Sequence, residues 1–192
     1  VTDSDGLYTQ AMVNLHINGA PTAPVVEVNP DPASTTDDLV ATLTTASTDP
    51  DGDPVSYSFV WYVDGVVSSA STMATLSAPD TTRDELWTVE VTPTDGYTDG
   101  PSASDSVFID NTVPEISGLA ISPDPATASD TLVCGWTFTD ADGDADASIV
   151  EWAVDGSSLG TGTSLAGVFV LDDVVSCTVT AFDGTVEGNS ET

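Results

Sequence analysis

The stretch TDPDGDPVSYSFVWYVDG, residues 48–65, decides the fold, because a close copy of it, TDADGDADASIVEWAVDG, occupies residues 139–156. In both copies an acidic loop rich in Asp precedes a short apolar segment with a central Trp, and an Asp-Gly pair follows. The spacing between the copies is a constant 91 positions. A pattern that recurs whole at a fixed spacing indicates repeated structural units. We therefore expect two copies of one domain.

The repeat extends on both sides of this stretch. NPDPASTTDDLVATL at 29–43 matches SPDPATASDTLVCGW at 122–136, and TVEVTPTDG at 88–96 matches CTVTAFDG at 177–184. The first residues of the chain, by contrast, match the end of a repeat. The predicted parts are the last strand of a preceding unit in residues 1–20, a first domain in residues 21–112, and a second domain in residues 113–192 that lacks its last strand.

The strand predicted at residues 9–17 has no sheet of its own in this division, and two hypotheses account for it. In the first, it completes the second domain of a neighbouring copy, and this head-to-tail contact generates a filament. In the second, the chain is a window of a longer repeat protein in which each unit keeps its own last strand. Both hypotheses predict a linear array of domains.

Apolar and polar residues alternate in short segments, and no segment has a helical period. Residues 56–63, for example, place Phe59, Trp61 and Val63 on one face. The same parity assigns all four tryptophans to the core: Trp61, Trp87, Trp136 and Trp152. Short strands separated by turn signals such as Asp-Gly are typical of an all-β sandwich.

The charge of the chain excludes several kinds of partner. It has 32 acidic residues against a single basic one, Arg83, and a formal net charge of −31. We expect no nucleic acid or anionic lipid as partner, because the chain has almost nothing with which to neutralise phosphates. We expect no membrane insertion, because no apolar run approaches roughly 18 residues. Bound cations or a solvated acidic surface would each explain the acidity.

The acidic loop of the second domain is the strongest candidate site. Asp140, Asp142, Asp144 and Asp146 stand at alternating positions around Gly143. Carboxylates at this spacing on a bent loop can converge on one calcium ion, which takes six to eight oxygen ligands. The alternative is an acidic turn whose side chains bind their own backbone.

The first domain carries a copy of this loop with one carboxylate fewer: Asp49, Asp51 and Asp53. Its calcium site is therefore predicted to be the weaker of the two. The loop of the second domain is not predicted to be an EF-hand, because Glu151, the twelfth residue from Asp140, lies inside a predicted strand.

The linker between the domains is a further candidate for ion binding. Asp110 and Asn111 follow the predicted last strand of the first domain, with Asp95 and Glu115 expected nearby, and Asn18 is the matching position in the preceding linker. An ion bound here would stiffen the junction. A plain solvated linker remains the alternative.

Both cysteines, Cys134 and Cys177, lie in the second domain. On strands predicted to face each other they indicate one disulfide and an oxidising, extracellular environment. Trp152 lies between them, and Cys…Trp…Cys in this order is the signature of the immunoglobulin fold. In the first domain Ala41 and Val89 stand at the cysteine positions, so apolar side chains are expected to fill that space without a covalent link.

At these residues the chain resembles the tandem immunoglobulin-like repeats of bacterial surface proteins and adhesins, with some likeness to PKD-like and cadherin-like repeats. The resemblance is carried by TDPDGD/TDADGD, WYVDG/WAVDG, VTPTDG/VTAFDG and the linkers INGAP and IDNTVP. It implies tandem immunoglobulin-like β-sandwiches, a location outside the cell or at its surface, and service as spacers, stalks or fibre units.

The function predicted from the sequence is that of an extracellular structural repeat protein, a segment of a filament, stalk or fibre rigidified by calcium and one disulfide. Its expected partners are identical subunits or repeats, head to tail. The alternative is an adhesin or carbohydrate-binding repeat module that binds a surface glycan or protein ligand. No catalytic residue is predicted, because the single histidine, His16, has no acyl-transfer constellation to join.

Overall fold

The computed structural model describes residues 4–5, 15 and 17–192. Of the strand predicted at residues 9–17, only Leu15 and Ile17 are among them, and both side chains are exposed; His16 and the rest of that prediction lie outside the described residues. Within the described residues, strands account for the regular structure apart from a 3-10 turn at Ala78–Asp80. No helix in this part of the chain is long and apolar enough to cross a membrane.

The strands between residues 21 and 112 form two sheets. They are β1 (Val25–Asn29), β2 (Ala33–Ser34), β3 (Leu39–Thr45), β4 (Ser56–Val63), β5 (Val66–Val67), β6 (Thr75–Leu76), β7 (Leu86–Thr94) and β8 (Ala103–Asp110). One sheet has the order β1-β3-β6 and the other β2-β8-β7-β4-β5. The pairing is antiparallel except between β2 and β8.

The strands between residues 113 and 192 repeat this arrangement. They are β9 (Glu115–Ser122), β10 (Thr131–Thr139), β11 (Ile149–Val154), β12 (Ser157–Thr161), β13 (Ser164–Ala166), β14 (Val175–Phe182) and β15 (Glu187–Glu191). The sheets are β13-β10-β9 and β12-β11-β14-β15. The predicted fold class is confirmed: the chain is all-β and forms immunoglobulin-like β-sandwiches in tandem.

Each core lies between the two sheets of its domain. In β7 the side chains of Trp87, Val89 and Val91 are buried and those between them are less so, because successive side chains of a strand point to opposite faces. Across the core, Ala41 of the other sheet joins them in one apolar cluster with the fully buried Trp61.

The disulfide predicted between Cys134 and Cys177 is confirmed. It joins β10 of one sheet to β14 of the other, and Trp152 on β11 pairs with Cys177 in the ladder. In the first domain Ala41 and Val89 stand at the corresponding places and are both buried. The same sandwich is therefore closed covalently in one domain and by packing alone in the other.

β15 pairs with β14 at Glu187–Glu191, and Glu191 lies opposite Val179 as Ala103 lies opposite Val91 in the first domain. β15 therefore reaches only the first position of a strand equivalent to β8, and the absence of the last strand from the second domain stays a prediction.

At Trp136 the structure differs from the sequence-based expectation. Trp136 was expected in the core but is only half-buried. Its indole N–H donates to Asp146 Oδ2 at 3.0 Å, so the ring lies at the margin of the core.

Candidate metal centre at the domain junction

Three strand ends bring the candidate residues together at one end of the second domain. Asp140 is the first residue after β10, Asp183 the first after β14, and Asn111 the first after β8 of the preceding domain. The sheets fix these three positions, so side chains far apart in sequence become neighbours. We call this region, with the linker through it, the domain junction.

Asp140 shapes the acidic loop. Its Oδ1 accepts hydrogen bonds from the backbone N–H groups of Asp142 at 2.8 Å and Asp144 at 3.1 Å. Gly143, at φ 79°, supplies the left-handed conformation of the bend. The other oxygen, Oδ2, is buried and has no hydrogen-bond partner among the described residues. A buried charged oxygen without a partner is costly, so Oδ2 is suited to a cation.

Asp183 is buried, with 8% of its surface exposed, and is held on both oxygens. Oδ1 accepts from the backbone N–H groups of Thr185 at 2.6 Å and Val186 at 2.7 Å, and Oδ2 accepts from Asn111 Nδ2 at 2.7 Å. Burial alone would raise the pKa of Asp183, but these hydrogen bonds bring the pKa below its ordinary value of 3.8. The carboxylate is therefore charged at neutral pH.

Carboxylate oxygens of Asp140, Asp144 and Asp183 lie within 4.8 Å of one another, the one such group of three within the described ranges. Three negative charges at this separation repel one another unless a cation lies between them. Carboxylate and amide oxygens are the ligands that calcium prefers. The three carboxylates fit a hard divalent cation, whereas Asn111 donates its N–H to Asp183 and its oxygen accepts from Arg83.

Asp142 has a different role from the one its spacing suggested. Its Oδ2 accepts the backbone N–H of Thr112 in the linker at 2.6 Å, and its Oδ1 accepts the hydroxyl of Thr35 in the first domain at 2.8 Å. The Thr35 and Thr112 hydroxyls also lie 2.6 Å apart. Asp142 therefore fastens the acidic loop to the linker and to the preceding domain.

Arg83 reaches the same junction from the first domain. Its Nη1 donates to Asn111 Oδ1 and to Asp144 Oδ2, and its Nη2 donates to Asp144 Oδ1 at 3.3 Å. The hydrogen bond to Asp144 is the main reason why the pKa of Arg83 is raised, with the charges of Asp144, Asp142 and Asp84 adding to it against partial desolvation.

The first domain repeats the geometry of the acidic loop. Asp49 Oδ1 accepts the backbone N–H groups of Asp51 at 2.8 Å and Asp53 at 3.2 Å, as Asp140 does in the second domain. Asp49 Oδ2 is likewise buried and makes no hydrogen bond within the described part of the chain. Gly52, at φ 83°, takes the place of Gly143.

The linker before the first domain is bound in the same way as the linker between the domains. Asn18 Nδ2 donates to Asp95 Oδ2 at 2.8 Å, and the backbone N–H of Gly19 donates to Asp51 Oδ2 at 2.6 Å. Asp95 is 7% exposed; its pKa is lowered chiefly by the backbone N–H of Thr98, and also by Asn18. The framework of the junction is therefore present twice.

Besides Asp142, the predicted ligands Asp146 and Asp110 do not join the group of three carboxylates. Asp146 accepts the indole N–H of Trp136 at 3.0 Å and the backbone N–H of Ser148 at 2.9 Å, so it turns toward its own domain. Asp110 ends β8 as an exposed residue. Of the residues expected near it, Asp95 belongs to the preceding junction, and Glu115 lies exposed at the start of β9.

The sequence prediction missed Asp183 and Arg83. A signal for Asp183 was present: VTPTDG and VTAFDG both place an Asp immediately after a core strand, and both aspartates are buried. Nothing local marks Arg83, because its hydrogen-bond partners Asn111 and Asp144 lie in the linker and in the other domain. Its uniqueness as the single basic residue of so acidic a chain was the available hint.

Comparison with known proteins gives no matching family model and no matching curated sequence. Similar solved structures are made of fibronectin type III domains. The chicken CNTN1 FN1-FN3 domains share 12% identity with this chain, with 91% of this chain and 67% of the other covered and a TM-score of 0.36.

Two further solved structures are also similar to this chain. The two fibronectin type-III domain segment of chicken tenascin is 15% identical, with 90% of this chain and 97% of the other covered and a TM-score of 0.41. The fibronectin(III)-like modules of Clostridium thermocellum CbhA are 15% identical, with coverages of 87% and 90% and a TM-score of 0.29.

Proposed function

We propose that this chain is a structural repeat segment of an extracellular filament, stalk or fibre, whose domain junctions are stiffened by calcium. The observation that carries the proposal is the buried Asp140 Oδ2 beside Asp144 and Asp183 where the two domains meet. A cation bound there would join the acidic loop of one domain to the linker that leaves the other. The role of such a site would be to stiffen the junction between the two domains.

Calcium is the cation that this donor set favours. Asp140, Asp144 and Asp183 offer carboxylate oxygens, which are hard ligands. With one basic side chain in 192 residues, the protein has few means of its own to neutralise a net charge of −31. Bound cations would remove part of that repulsion.

The contacts between the domains support a linear array. Thr35 and Arg83 lie at one end of the first domain and contact Asp142 and Asp144 at the opposite end of the second. This contact joins two different surfaces, so its repetition extends a chain of domains instead of closing a dimer. Identical repeats or subunits placed head to tail are the partners we propose.

The disulfide supports a location outside the cell. Cys134 and Cys177 are paired across the sheets of the second domain, and such bonds persist in oxidising compartments. The disulfide also joins the two sheets of the domain that Thr35 and Arg83 contact at the junction. We therefore propose an extracellular or cell-surface location.

Thermal unfolding in EDTA and in calcium tests this proposal. Calcium at about 100 times its dissociation constant should stabilise the folded chain by about 2.7 kcal/mol per site. Asp140→Asn keeps an oxygen for the backbone N–H groups of Asp142 and Asp144 but removes the charge at Oδ2, so it should abolish the calcium increment at the second-domain loop.

Asp146→Asn is the matched control. It removes the same charge from the same loop, but Asp146 is bonded to Trp136 and Ser148 and lies outside the group of three carboxylates. This variant should keep the full calcium increment. An equal melting temperature in EDTA and calcium for the unaltered chain would contradict the proposed calcium centre.

A further inference from the structure

Arg83 has a position that the calcium proposal does not explain. It is the single Arg or Lys of the chain, and it lies in the turn between the 3-10 segment Ala78–Asp80 and β7, at the end of the first domain that faces the second. In a protein of net charge −31, a cationic side chain could find acidic partners almost anywhere. Its position at the domain junction therefore calls for an explanation.

Its partners span all three parts of the junction. The guanidinium extends from the first domain, donates to the linker residue Asn111, and binds both carboxylate oxygens of Asp144 in the second domain. Both members of the ion pair are partly shielded from water, with 31% and 24% of their side chains exposed. A two-pronged Arg–carboxylate pair fixes direction as well as distance.

The same turn in the second domain has an apolar residue in place of the arginine. Asp84 and Asp172 both have φ values near the left-handed region, 72° and 73°, and each follows the residue in question. That residue is Arg83 in the first domain and Leu171 in the second, and Leu171 is 84% exposed. The turn itself therefore does not require an arginine.

We propose that Arg83 is a tethered counter-ion which fixes the orientation of the two domains without bound metal. A calcium ion supplies positive charge at this junction only while it is bound, whereas the guanidinium is attached to the first domain by its own chain. This proposal extends the proposed function, but its main test needs no metal.

Arg83 should also weaken calcium binding at Asp144. The guanidinium and the ion draw on the same carboxylate, and two like charges about 5 Å apart repel each other even in water. Removal of the arginine should therefore raise calcium affinity at this junction about tenfold, an effect of the size that Coulomb's law gives for charges of one and two.

Residual dipolar couplings of the full chain in EDTA test the proposal. If Arg83 fixes the junction, both domains of the unaltered protein report one common alignment tensor. In Arg83→Gln the two domains should report different tensors, because the remaining contacts of Asp142 do not include an ion pair. A common tensor that persists in Arg83→Gln, in EDTA, would overturn the proposal.

Two further variants separate the role of the guanidinium from general effects. Leu171→Gln places the same side chain in the same turn away from the junction and should leave the common tensor unchanged. Arg83→Lys keeps the charge but loses the two-pronged geometry, and should give tensors that differ less than in Arg83→Gln. Loss of the common tensor in Leu171→Gln to the same extent as in Arg83→Gln would also overturn the proposal.

Calorimetric titration with calcium chloride separates this proposal from the calcium centre. Tighter binding by Arg83→Gln than by the unaltered chain supports competition for Asp144, and equal affinity contradicts that competition. If neither protein binds calcium, the calcium centre fails, and the couplings measured in EDTA still decide whether Arg83 fixes the domains.

Discussion

The acidic loops of the two domains share one hydrogen-bond framework but differ in their surroundings. Asp49 and Asp140 each accept two backbone N–H groups of their own loop and keep a second oxygen buried. At the loop of the second domain, Arg83 arrives from the preceding domain and binds Asp144. The geometry of the loop is therefore a local property, whereas the neutralisation of its negative charge depends on a neighbouring domain.

The two cores show a similar division. Trp61 and Trp152 are both buried, and each indole N–H donates to a backbone carbonyl, Met73 O at 2.9 Å and Gly162 O at 2.7 Å. The second domain adds a disulfide at the place where the first has apolar side chains. A tryptophan-centred sandwich thus forms with or without the bond, and the bond adds stability to a fold that already exists.

The largest expected effect comes from making the second domain resemble the first. Cys134→Ala with Cys177→Val installs the pair Ala41 and Val89 of the first domain. The disulfide closes a separation of 43 residues, and its loss should destabilise the second domain by about 4 kcal/mol through the entropy of the unfolded chain. Chemical denaturation monitored domain by domain measures this loss.

In the same experiment the first domain is the internal control, and its transition should not move. An unchanged transition of the second domain would mean that the disulfide does not constrain its unfolded chain, and that the two cores are equivalent. A shift of both transitions would instead show that the two domains unfold as one unit.

A smaller effect on stability is expected when each linker asparagine is replaced by alanine. Asn18→Ala removes a donor to Asp95, and Asn111→Ala removes the matching donor to Asp183. Asn111→Ala also removes the acceptor for Arg83, so it should lower the midpoint of thermal unfolding more than Asn18→Ala does. Equal shifts would show that the arginine contributes nothing through the linker.

The smallest expected effect is the loss, in acid, of the stability that the buried carboxylates of Asp95 and Asp183 contribute. The pKa values of Asp95 and Asp183 are lowered in the folded protein below 3.8. The stability that each contributes is therefore complete above pH 3.8 and is lost as the pH falls through the lower, folded-state pKa.

Matched variants isolate this contribution from the relief of general repulsion in acid. The difference in unfolding free energy between the unaltered chain and Asp183→Asn should be constant above pH 3.8 and shrink below it. The difference for Asp95→Asn should do the same. Differences that grow in acid would show that these carboxylates are destabilising when charged.

The strands could be predicted from the sequence because their signal is local. The predicted bounds of β4, residues 56–63, agree with the structure, since alternation around Trp61 needs only neighbouring residues. Parity placed Trp136 on the correct face, where it packs against the core, but its indole N–H donates to Asp146 and the ring is only half-buried. Alternation predicts a face but does not measure how deeply that face is covered.

The candidate site could be predicted only in part, because strands distant in sequence assemble it. The spacing of the acidic loop correctly singled out Asp140 and Asp144, but it also suggested Asp142 and Asp146, whose oxygens serve other donors. The third member of the group, Asp183, follows a different strand. Only the pairing of β14 with β11 brings it to that end of the domain.

The most direct test of the whole account is the crystal structure of the full chain grown in millimolar calcium chloride. The account predicts an anomalous difference peak within about 2.3–2.6 Å of Asp140 Oδ2, the range of calcium–oxygen bonds, with Asp144 and Asp183 beside it. The absence of such a peak at Asp140 Oδ2, in a crystal grown in the same calcium chloride and with the junction otherwise as described, would contradict the account. It would mean that no bound cation stiffens this array of domains.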